Sequence, residues 1–340
     1  AKFNEKCRMS VFRYKKEWED LTLRIGFWLD LENPYITYEN SYIEKVWGVL
    51  KQIWEKDLIY QDFKVVPYCP RCGTTLSSHE VAQGYRNITE NSYFIKFPLK
   101  DKKNTFFLVW TTTPWTLPGN IALAVNPEID YVEVDVNDET LILAKERVSK
   151  VIKGEYKIIK ELKGSDLAGE TYETLYNPSD FIKATDKDFK VWSADFVLAD
   201  DGTGIVHIAP AFGIDDMNLQ NKNGFSIPMT VSSEGKMLSE IGQGKFVKDA
   251  DSEIIEDLKS RQLFFADEKI THEYPFCWRC ESILIYFAKS TWFIKVSKIN
   301  DKLLKNNEEI NWIPDYLKHG RFGQWLTDAR DWALSRERFW

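Results

Sequence analysis

One segment near the start of the chain repeats apolar residues at helical spacing. Between residues 40 and 57, apolar side chains fall on one side of a helix with about 3.6 residues per turn. These side chains are Ile43, Val46, Trp47, Leu50, Ile53 and Trp54. The pattern predicts a helix over 40–57. The stretch before it, 1–19, is charged and helix-prone but has no recognisable first element.

Short extended segments dominate the middle of the chain. Apolar and β-branched runs, separated by Asn, Asp, Gly and Pro turns, predict strands. The predicted strands lie around 65–66 and 94–97 and at 106–110, 121–125, 131–136, 141–143 and 204–208. Helical patches interrupt them at 144–152, near 214–222 and at 250–260. A β-rich middle between more helical ends predicts an insertion within another domain.

Composition and charge limit the class of protein. The chain has 340 residues, 44% of them hydrophobic, and 13 Trp residues, which indicates a globular protein with two or more compact units. No apolar run approaches the ~18 residues of a membrane span and no signal peptide is visible, so we expect a cytoplasmic protein. A net charge of −7 argues against a general polyanion-binding surface. An RNA partner would be held locally, by its shape and its single-stranded end.

Four of the five cysteines form two Cys-x-x-Cys pairs, Cys69 with Cys72 and Cys277 with Cys280. In a reducing compartment such pairs indicate metal before disulfides, and four thiolates from two tight turns suit a structural zinc ion. The long gap between the pairs implies that the middle of the chain leaves and returns to one place. The alternatives are two separate pairs of free, buried thiols, or a knuckle that has lost its metal. The fifth cysteine, Cys7, is interpreted as a small apolar residue.

A threonine-rich segment follows the strand predicted at 106–110. Its sequence is Thr111-Thr112-Thr113-Pro114-Trp115-Thr116-Leu117-Pro118-Gly119-Asn120. Pro114 lacks an N–H donor and makes the residue before it extended, so the chain must turn out of its sheet there. The segment is therefore a rigid polar loop. The alternative is a turn whose hydroxyls bond only to their own backbone.

A second polar segment, 201–216, contains a Gly-rich turn, a short strand that carries His207, a Pro break and a helix start. Two carboxylates, Asp215 and Asp216, stand at that helix start, where acidic residues are favoured as caps. One of the two can serve only as a cap. The other can point into a cavity and pair with the ammonium group of a substrate. His207, taken alone, is compatible with an ordinary strand histidine.

Together, the two polar segments resemble the editing motifs of isoleucyl-tRNA synthetases. The related valyl and leucyl enzymes typically carry Arg where Thr113 stands, so the resemblance also favours isoleucine. It implies that Asp216 holds the ammonium group of a misattached amino acid and that His207 excludes isoleucine while valine fits. It gives Asp216 and Thr112 as catalytic residues. The substrate-binding residues that it implies are Trp110, Thr111, Thr112, Thr113, Thr116, Asn120, His207, Phe212 and Asp216.

The flanking segments resemble the same family. The matching stretches are 30–38, 66–72 and 331–340, so the resemblance covers essentially the whole chain. The His-x-Gly-His and Lys-Met-Ser-Lys-Ser motifs, which bind ATP in this enzyme class, are missing from the sequence. We therefore expect a piece of a longer enzyme that does not itself activate isoleucine. ATP and isoleucine are expected as ligands of the full-length enzyme only.

The fold that the resemblance implies is mixed α/β and β-rich, with a β-barrel-like editing domain inserted into parts of a Rossmann-type class I synthetase catalytic domain. We place the catalytic flanks at 1–66 and 291–340, the zinc knuckle stalks at 67–87 and 271–290, and the editing domain at 88–270.

The activity that the resemblance implies is hydrolysis of misacylated tRNA(Ile), mainly Val-tRNA(Ile). We expect a monomer that contains structural zinc, holds the 3′ end of the tRNA and has no membrane partner. Two alternatives stay open. The first is a free-standing trans-editing deacylase, although such a protein would have no use for catalytic flanks. The second is a different class of protein. A non-catalytic, zinc-clamped RNA-binding module would bind RNA without turnover.

Overall fold

A computed structural model describes residues 2–335 of the chain. The chain divides into two compact units. The terminal unit is formed by residues 1–62 and 290–340, and the middle unit by residues 63–289. The family-like stretch at 331–340 falls partly on residues 336–340, which lie outside the described residues. Within 2–335, no helix has both the length and the apolar character needed to cross a membrane.

Helices predominate near the two ends of the chain and strands in its middle. The helices are α1 (Lys2–Arg24), α2 (Asn40–Glu55), α3 (Ser78–Ala82), α4 (Val148–Val151), α5 (Gly164–Leu167), α6 (Ile214–Asn223), α7 (Val247–Ser260), α8 (Asn300–Glu308) and α9 (Arg321–Thr327). The strands are β1 (Ile59–Cys69), β2 (Thr74–Thr75), β3 (Tyr85–Pro98), β4 (Thr105–Thr111), β5 (Ala122–Val125), β6 (Asp130–Val136), β7 (Glu139–Ala144), β8 (Lys157–Lys163), β9 (Lys190–Ser193), β10 (Ile205–Ile208), β11 (Phe264–Pro275), β12 (Ile285–Ile294) and β13 (Trp332–Ala333).

The terminal unit is mainly helical. The helix predicted over 40–57 is confirmed as α2. Residues 2–24, which are helix-prone without a recognisable pattern, form the long helix α1, none of whose residues is buried. Within this unit the hydroxyl of Tyr60 donates to Asp331 Oδ2 at 2.6 Å, and the Tyr60 ring stacks on Phe293 with centroids 5.2 Å apart. That this unit is part of a Rossmann-type domain stays a prediction.

Two sheets build most of the middle unit. One has six strands in the order β11-β3-β4-β7-β6-β8, and the other has three in the order β10-β5-β9. The pairs β4–β7 and β5–β9 are parallel, and the other pairs are antiparallel. The mixed α/β, β-rich prediction is confirmed. Among the described residues neither sheet closes on itself, so the predicted editing domain contains two open sheets and no closed barrel.

The threonine-rich segment connects the two sheets. Strand β4 is covered on both faces, because Phe107 and Val109 join one apolar cluster while Leu108 joins another. It is therefore a firmly held strand. At Thr111 the chain leaves β4, forms a 3-10 turn at Pro114–Gly119, and enters β5 of the smaller sheet. We call Pro114–Gly119 the threonine turn.

The segments predicted as zinc knuckle stalks, apart from Ser290, belong to the middle unit. Strands β3 and β11 pair antiparallel from Tyr85↔Pro275 to Ile95↔Phe264, so one long ribbon runs from the stalk segments into the larger sheet. The predicted stalks and the predicted editing domain at 88–270 fall within one compact unit, with no boundary between them. The division of the middle unit into stalks and an editing domain stays a prediction.

Candidate functional site

A cavity of about 340 Å³ lies where the chain passes from the larger sheet to the smaller one. This volume is within the ~300–1,000 Å³ of small-molecule sites. Its wall combines the end of β4, the threonine turn, the loop before β10, β10 itself and the start of α6. Eight of the expected substrate-binding residues line it: Trp110, Thr111, Thr112, Thr113, Thr116, His207, Phe212 and Asp216.

Some threonine hydroxyls support their own backbone. The N–H of Thr113 donates to Thr111 Oγ1 at 3.1 Å, and the hydroxyl of Thr116 donates to the Thr113 carbonyl at 2.8 Å. These bonds are the local ones expected of a Ser/Thr turn. Thr112 differs, because its half-buried hydroxyl bonds to none of the described residues. It is the threonine of this segment that is free to bond a ligand.

His207 forms a neutral wall of the cavity. Its Nε2 lies 3.1 Å from Thr116 Oγ1. The Thr116 hydroxyl has one proton, and we assign it to the shorter contact, with the Thr113 carbonyl at 2.8 Å. On this assignment Thr116 Oγ1 accepts from His207 Nε2–H, and Nδ1 is unprotonated. Burial lowers the pKa of His207 to about 4, so the ring is neutral at pH 7. Nδ1 is buried and has no partner among the described residues.

Asp216 provides the negative charge of the cavity. It stands in the first turn of α6, and its Oδ2 accepts a hydrogen bond from the Ala209 N–H at 2.7 Å. A Cβ at Gly213 would lie 2.5 Å from the Asp216 carboxyl carbon, so glycine is needed for the carboxylate to fold back over the helix start. Burial, with a smaller effect from Asp215, raises the pKa of Asp216 to about 6. The group is still mainly ionised at pH 7.

This carboxylate has no counter-ion in the cavity. None of the described residues that line the cavity is Lys or Arg. Asp215, the neighbouring acid, is exposed and does not line the cavity. A partly buried carboxylate without a cation is costly, and a ligand ammonium group offsets that cost. The site is therefore suited to a small cationic ligand.

The loop before β10 is fixed to the larger sheet. The Ala144 N–H donates to the Thr203 carbonyl at 2.9 Å, and Arg147 Nε donates to the Gly202 carbonyl at 2.7 Å. Gly204 has a φ of +73°, and a Cβ there would lie 2.5 Å from the Ala144 Cβ. A side chain at this position would push the loop away from the sheet and open the cavity wall.

Asn120 is the one expected substrate-binding residue that does not line the cavity. Its amide nitrogen donates to the Ala122 carbonyl at 2.9 Å, and its Oδ1 accepts from the Tyr172 hydroxyl at 2.6 Å. Only 2% of its surface is exposed. In this structure its side chain ties the end of the threonine turn to the core, and its assignment as a substrate-binding residue stays a prediction.

Sequence reasoning missed two apolar residues of the wall, Phe196 and Leu198. They lie between β9 and β10, in a stretch without regular structure. Leu198 is exposed, at 59% of its surface. No periodic pattern marks such residues, because the loop that carries them follows no helix or strand repeat.

The four paired cysteines meet in one cluster. Their sulfur atoms all lie within 4.8 Å of one another, and Cys69 Sγ is 3.5 Å from Cys280 Sγ. A tetrahedral zinc site with Zn–S bonds of ~2.3 Å places its sulfurs about 3.8 Å apart. The cluster therefore has the donor set and the spacing to hold one metal ion. The alternative of two separate thiol pairs is excluded by this geometry.

Both cysteine turns are held by the surrounding chain. The Cys72 N–H donates to Cys69 Sγ at 3.3 Å. Glu80, part of a capping box with Ser77 at the start of α3, accepts from Arg279 at 2.5 Å. This ion pair joins α3, which follows the first cysteine turn, to the second cysteine turn.

The family model for "tRNA synthetases class I (I, L, M and V)" matches residues 1–340. The chain belongs to this family. Among curated relatives, it is 51% identical over 340 residues to isoleucine–tRNA ligase of Clostridium tetani, covering 99% of this chain and 32% of that protein. It is 50% identical over 340 residues to the isoleucine–tRNA ligase of Picrophilus torridus, covering 100% of this chain and 33% of that protein. It is 47% identical over 344 residues to the ligase of Thermus thermophilus, covering 100% of this chain and 32% of that protein.

The chain spans about a third of the length of these relatives. Solved structures with some likeness include the cytosolic leucyl-tRNA synthetase editing domains of P. knowlesi and P. falciparum. The first has a TM-score of 0.42 and 13% identity, covering 54% of this chain and 98% of that one. The second has a TM-score of 0.41 and 11% identity, covering 53% of this chain and 99% of that one.

Proposed function

We propose that this chain is the editing part of an isoleucine–tRNA ligase and hydrolyses the ester between a wrong amino acid, mainly valine, and the 3′ end of tRNA(Ile). The observation that carries the proposal is the Asp216 carboxylate, without a counter-ion, in the same small cavity as neutral His207 and the free hydroxyl of Thr112. An aminoacyl ester brings an α-ammonium group to Asp216 and a carbonyl to a hydroxyl donor.

The choice of amino acid rests on two further observations. The curated relatives are isoleucine–tRNA ligases, and Thr113 stands where valyl and leucyl enzymes typically carry Arg. The whole enzyme would attach isoleucine to tRNA with ATP. This chain would then correct the errors of that reaction.

A second site is needed because one methylene is worth only ~1–3 kcal/mol of discrimination, a magnitude for which isoleucyl-tRNA synthetase is itself the standard example. Valine therefore enters a site built for isoleucine. A smaller cavity solves the problem by admitting valine and excluding isoleucine. His207 suits this excluding role because Thr116 holds its ring in one orientation.

Hydrolysis consumes one water and breaks the bond between the acyl carbon and the ribose oxygen. The water adds to the ester carbonyl, whose oxygen becomes negative. The intermediate then collapses to free valine, and the ribose oxygen takes up a proton. Asp216 anchors the ammonium group, Thr112 and backbone N–H groups orient the carbonyl, and the neighbouring ribose hydroxyl of the substrate assists the water.

His207 is not the base in this scheme. Its Nε2–H is engaged by Thr116, and its Nδ1 is buried out of reach of a water in the cavity. Positioning and a substrate hydroxyl therefore replace a protein base.

The four thiolates of Cys69, Cys72, Cys277 and Cys280 would hold a structural zinc ion. Zinc there would close the long loop 73–276 and so reduce the entropic cost of folding the middle unit. The cytoplasmic location and the monomeric state stay predictions.

The proposal is tested by incubating the chain with tRNA(Ile) that carries radiolabelled valine and following the release of acid-soluble valine. We expect release above the no-protein rate for Val-tRNA(Ile), and protection of Ile-tRNA(Ile). Thr and Cys esters extend the comparison. Retention of Val-tRNA(Ile) on the protein without release would instead identify a binding module.

A further inference from the structure

The threonine turn is capped by a carboxylate from another part of the middle unit. Its first residue, Pro114, has no N–H, so the first N–H that needs an acceptor belongs to Trp115. Thr113, which precedes the turn, provides no side-chain cap. Asp251 of α7 provides the acceptor, with its Oδ1 2.9 Å from the Trp115 nitrogen.

Asp251 stands on the apolar face of its helix. The buried residues of α7 are Val247, Ala250, Ile254, Ile255 and Leu258. Asp251 follows Val247 by one helical turn and lies on the same side. Burial raises the pKa of Asp251 to about 7, which shows how costly its charge is there. An acid within an apolar helix face is the sequence signal that sequence reasoning passed over.

A chain of polar contacts leads from this carboxylate to the larger sheet. Lys248 Nζ lies 3.9 Å from Asp251 Oδ2 and 2.7 Å from Glu90 Oε2. Glu90 Oε1 lies 2.9 Å from His272 Nε2. Glu90 belongs to β3 and His272 to β11. The threonine turn is therefore tied, through Asp251, to the paired strands of the larger sheet.

The threonine turn contacts two residues of the cavity wall, Phe212 and His207. The Trp115 ring packs edge-on against Phe212, with centroids 5.2 Å apart, and Phe212 lines the cavity. Thr116 holds His207 at 3.1 Å. A turn that loses its cap would shift both Phe212 and His207.

We propose that Asp251 is a positioning residue for the hydrolytic site: it fixes the threonine turn from outside the cavity, so that His207 stays where it excludes the larger amino acid. This inference rests on the proposed function and adds a residue that controls selectivity without touching the substrate. Neither the family match nor the relatives assign a role to it.

The test compares the hydrolysis rates of Val-tRNA(Ile) and Ile-tRNA(Ile) for three variants at pH 7. Asp251→Ala and Asp251→Leu both remove the acceptor, and Leu keeps the apolar packing of α7. We expect the ratio of the two rates to fall about two- to tenfold in both, the effect of losing one hydrogen bond. Asp251→Asn keeps an acceptor oxygen and should recover most of the ratio.

Asp257→Ala is the matched control. Asp257 lies on the same helix and accepts a hydrogen bond from Tyr176 at 2.8 Å, away from the cavity. It should leave the ratio unchanged. An unchanged ratio of the two rates in Asp251→Leu would overturn the inference, whether both rates fall together or neither falls. The proposed function would still be supported if the wild-type chain released valine.

A second measurement does not depend on activity. The nitrogen NMR spectrum of the histidine-labelled chain should show His207 in one tautomer, protonated at Nε2. In Asp251→Leu we expect averaged tautomers, and in Asp257→Ala the wild-type spectrum. A wild-type His207 signal in Asp251→Leu would contradict the inference, even if the wild-type chain released no valine and the proposed function failed.

Discussion

Thr116 Oγ1 and His207 Nε2 lie 3.1 Å apart, and this hydrogen bond joins the two polar segments that line the cavity. Thr116 comes from the turn after β4, and His207 comes from β10 of the smaller sheet. Each residue has an ordinary structural explanation when taken alone. Joined, they fix a neutral ring at the wall of a cavity that also contains Asp216.

Replacing Thr116 by Val removes the acceptor and keeps the shape. His207 Nε2–H is then buried without a partner, which costs ~1–3 kcal/mol. We expect the free energy of unfolding, measured in urea at pH 7, to fall by about that amount, and some Ile-tRNA(Ile) to be cleaved. Thr105→Val, which removes a hydroxyl bonded only to the Lys103 carbonyl, should cost less. Equal stability of the two variants would contradict the assigned bond.

Ligand binding should weaken as the pH falls. The pKa of Asp216 is raised to about 6, so its carboxylate is present above that pH and is lost below it. His207, with a pKa of about 4, stays neutral in this window. The affinity for a non-hydrolysable valyl-amide of adenosine, measured by calorimetry, should drop about tenfold from pH 7 to pH 5. Asp216→Asn should bind weakly with no such dependence, and an identical pH profile in that variant would argue against Asp216 as the ammonium site.

His207→Ala should enlarge the cavity and let isoleucine enter. We expect cleavage of correctly charged Ile-tRNA(Ile) to rise. The rise should not exceed about 10–200-fold, which is the discrimination that one methylene gives and for which isoleucyl-tRNA synthetase is the standard example. His79→Ala, at an exposed position, is the control. Continued protection of Ile-tRNA(Ile) in His207→Ala would remove the excluding role from His207.

The cysteine cluster predicts one zinc ion per chain. Cys69→Ser and Cys277→Ser should each lose the metal, measured by atomic absorption, and lower the melting temperature, because the two cysteine turns lose their common ligand. Cys7→Ser is the matched control, since Cys7 lies in α1 and outside the cluster. Full zinc content in Cys277→Ser would show that the four thiolates do not form one site.

The parts of the fold that sequence predicted are those with a strong local signal. The helix over 40–57 and the strands at 106–110 and 131–136 follow their apolar periods. The edge strand β8 was missed because its side chains are almost all exposed and show no alternation of apolar and polar residues. The segment that forms helix α1 was interpreted as helix-prone over 1–19 but without a recognisable element, because α1 buries none of its residues and so has no apolar face to detect.

The candidate site shows a similar limit. Motif residues such as Thr112 and Asp216 could be proposed because their segments resemble the editing motifs of isoleucyl-tRNA synthetases. Asn120 lies in the same motif, yet its side chain turns to Tyr172 in the core, and a linear motif does not give direction. The position of Asp251 on an apolar helix face is visible in the sequence, but its partner is not, because the bond to Trp115 depends on how α7 packs on the threonine turn.

The most direct measurement is the release of valine from Val-tRNA(Ile) by the wild-type chain, by Asp216→Ala and by Asp215→Ala. Both aspartates stand in the first turn of α6, but only Asp216 lines the cavity. A charged partner is worth ~1.5–3 kcal/mol, so Asp216→Ala should lose at least about tenfold in rate. Asp215→Ala should stay near the wild-type rate. Undiminished release by Asp216→Ala, or an equal loss in both variants, would contradict the account of this cavity as the hydrolytic site.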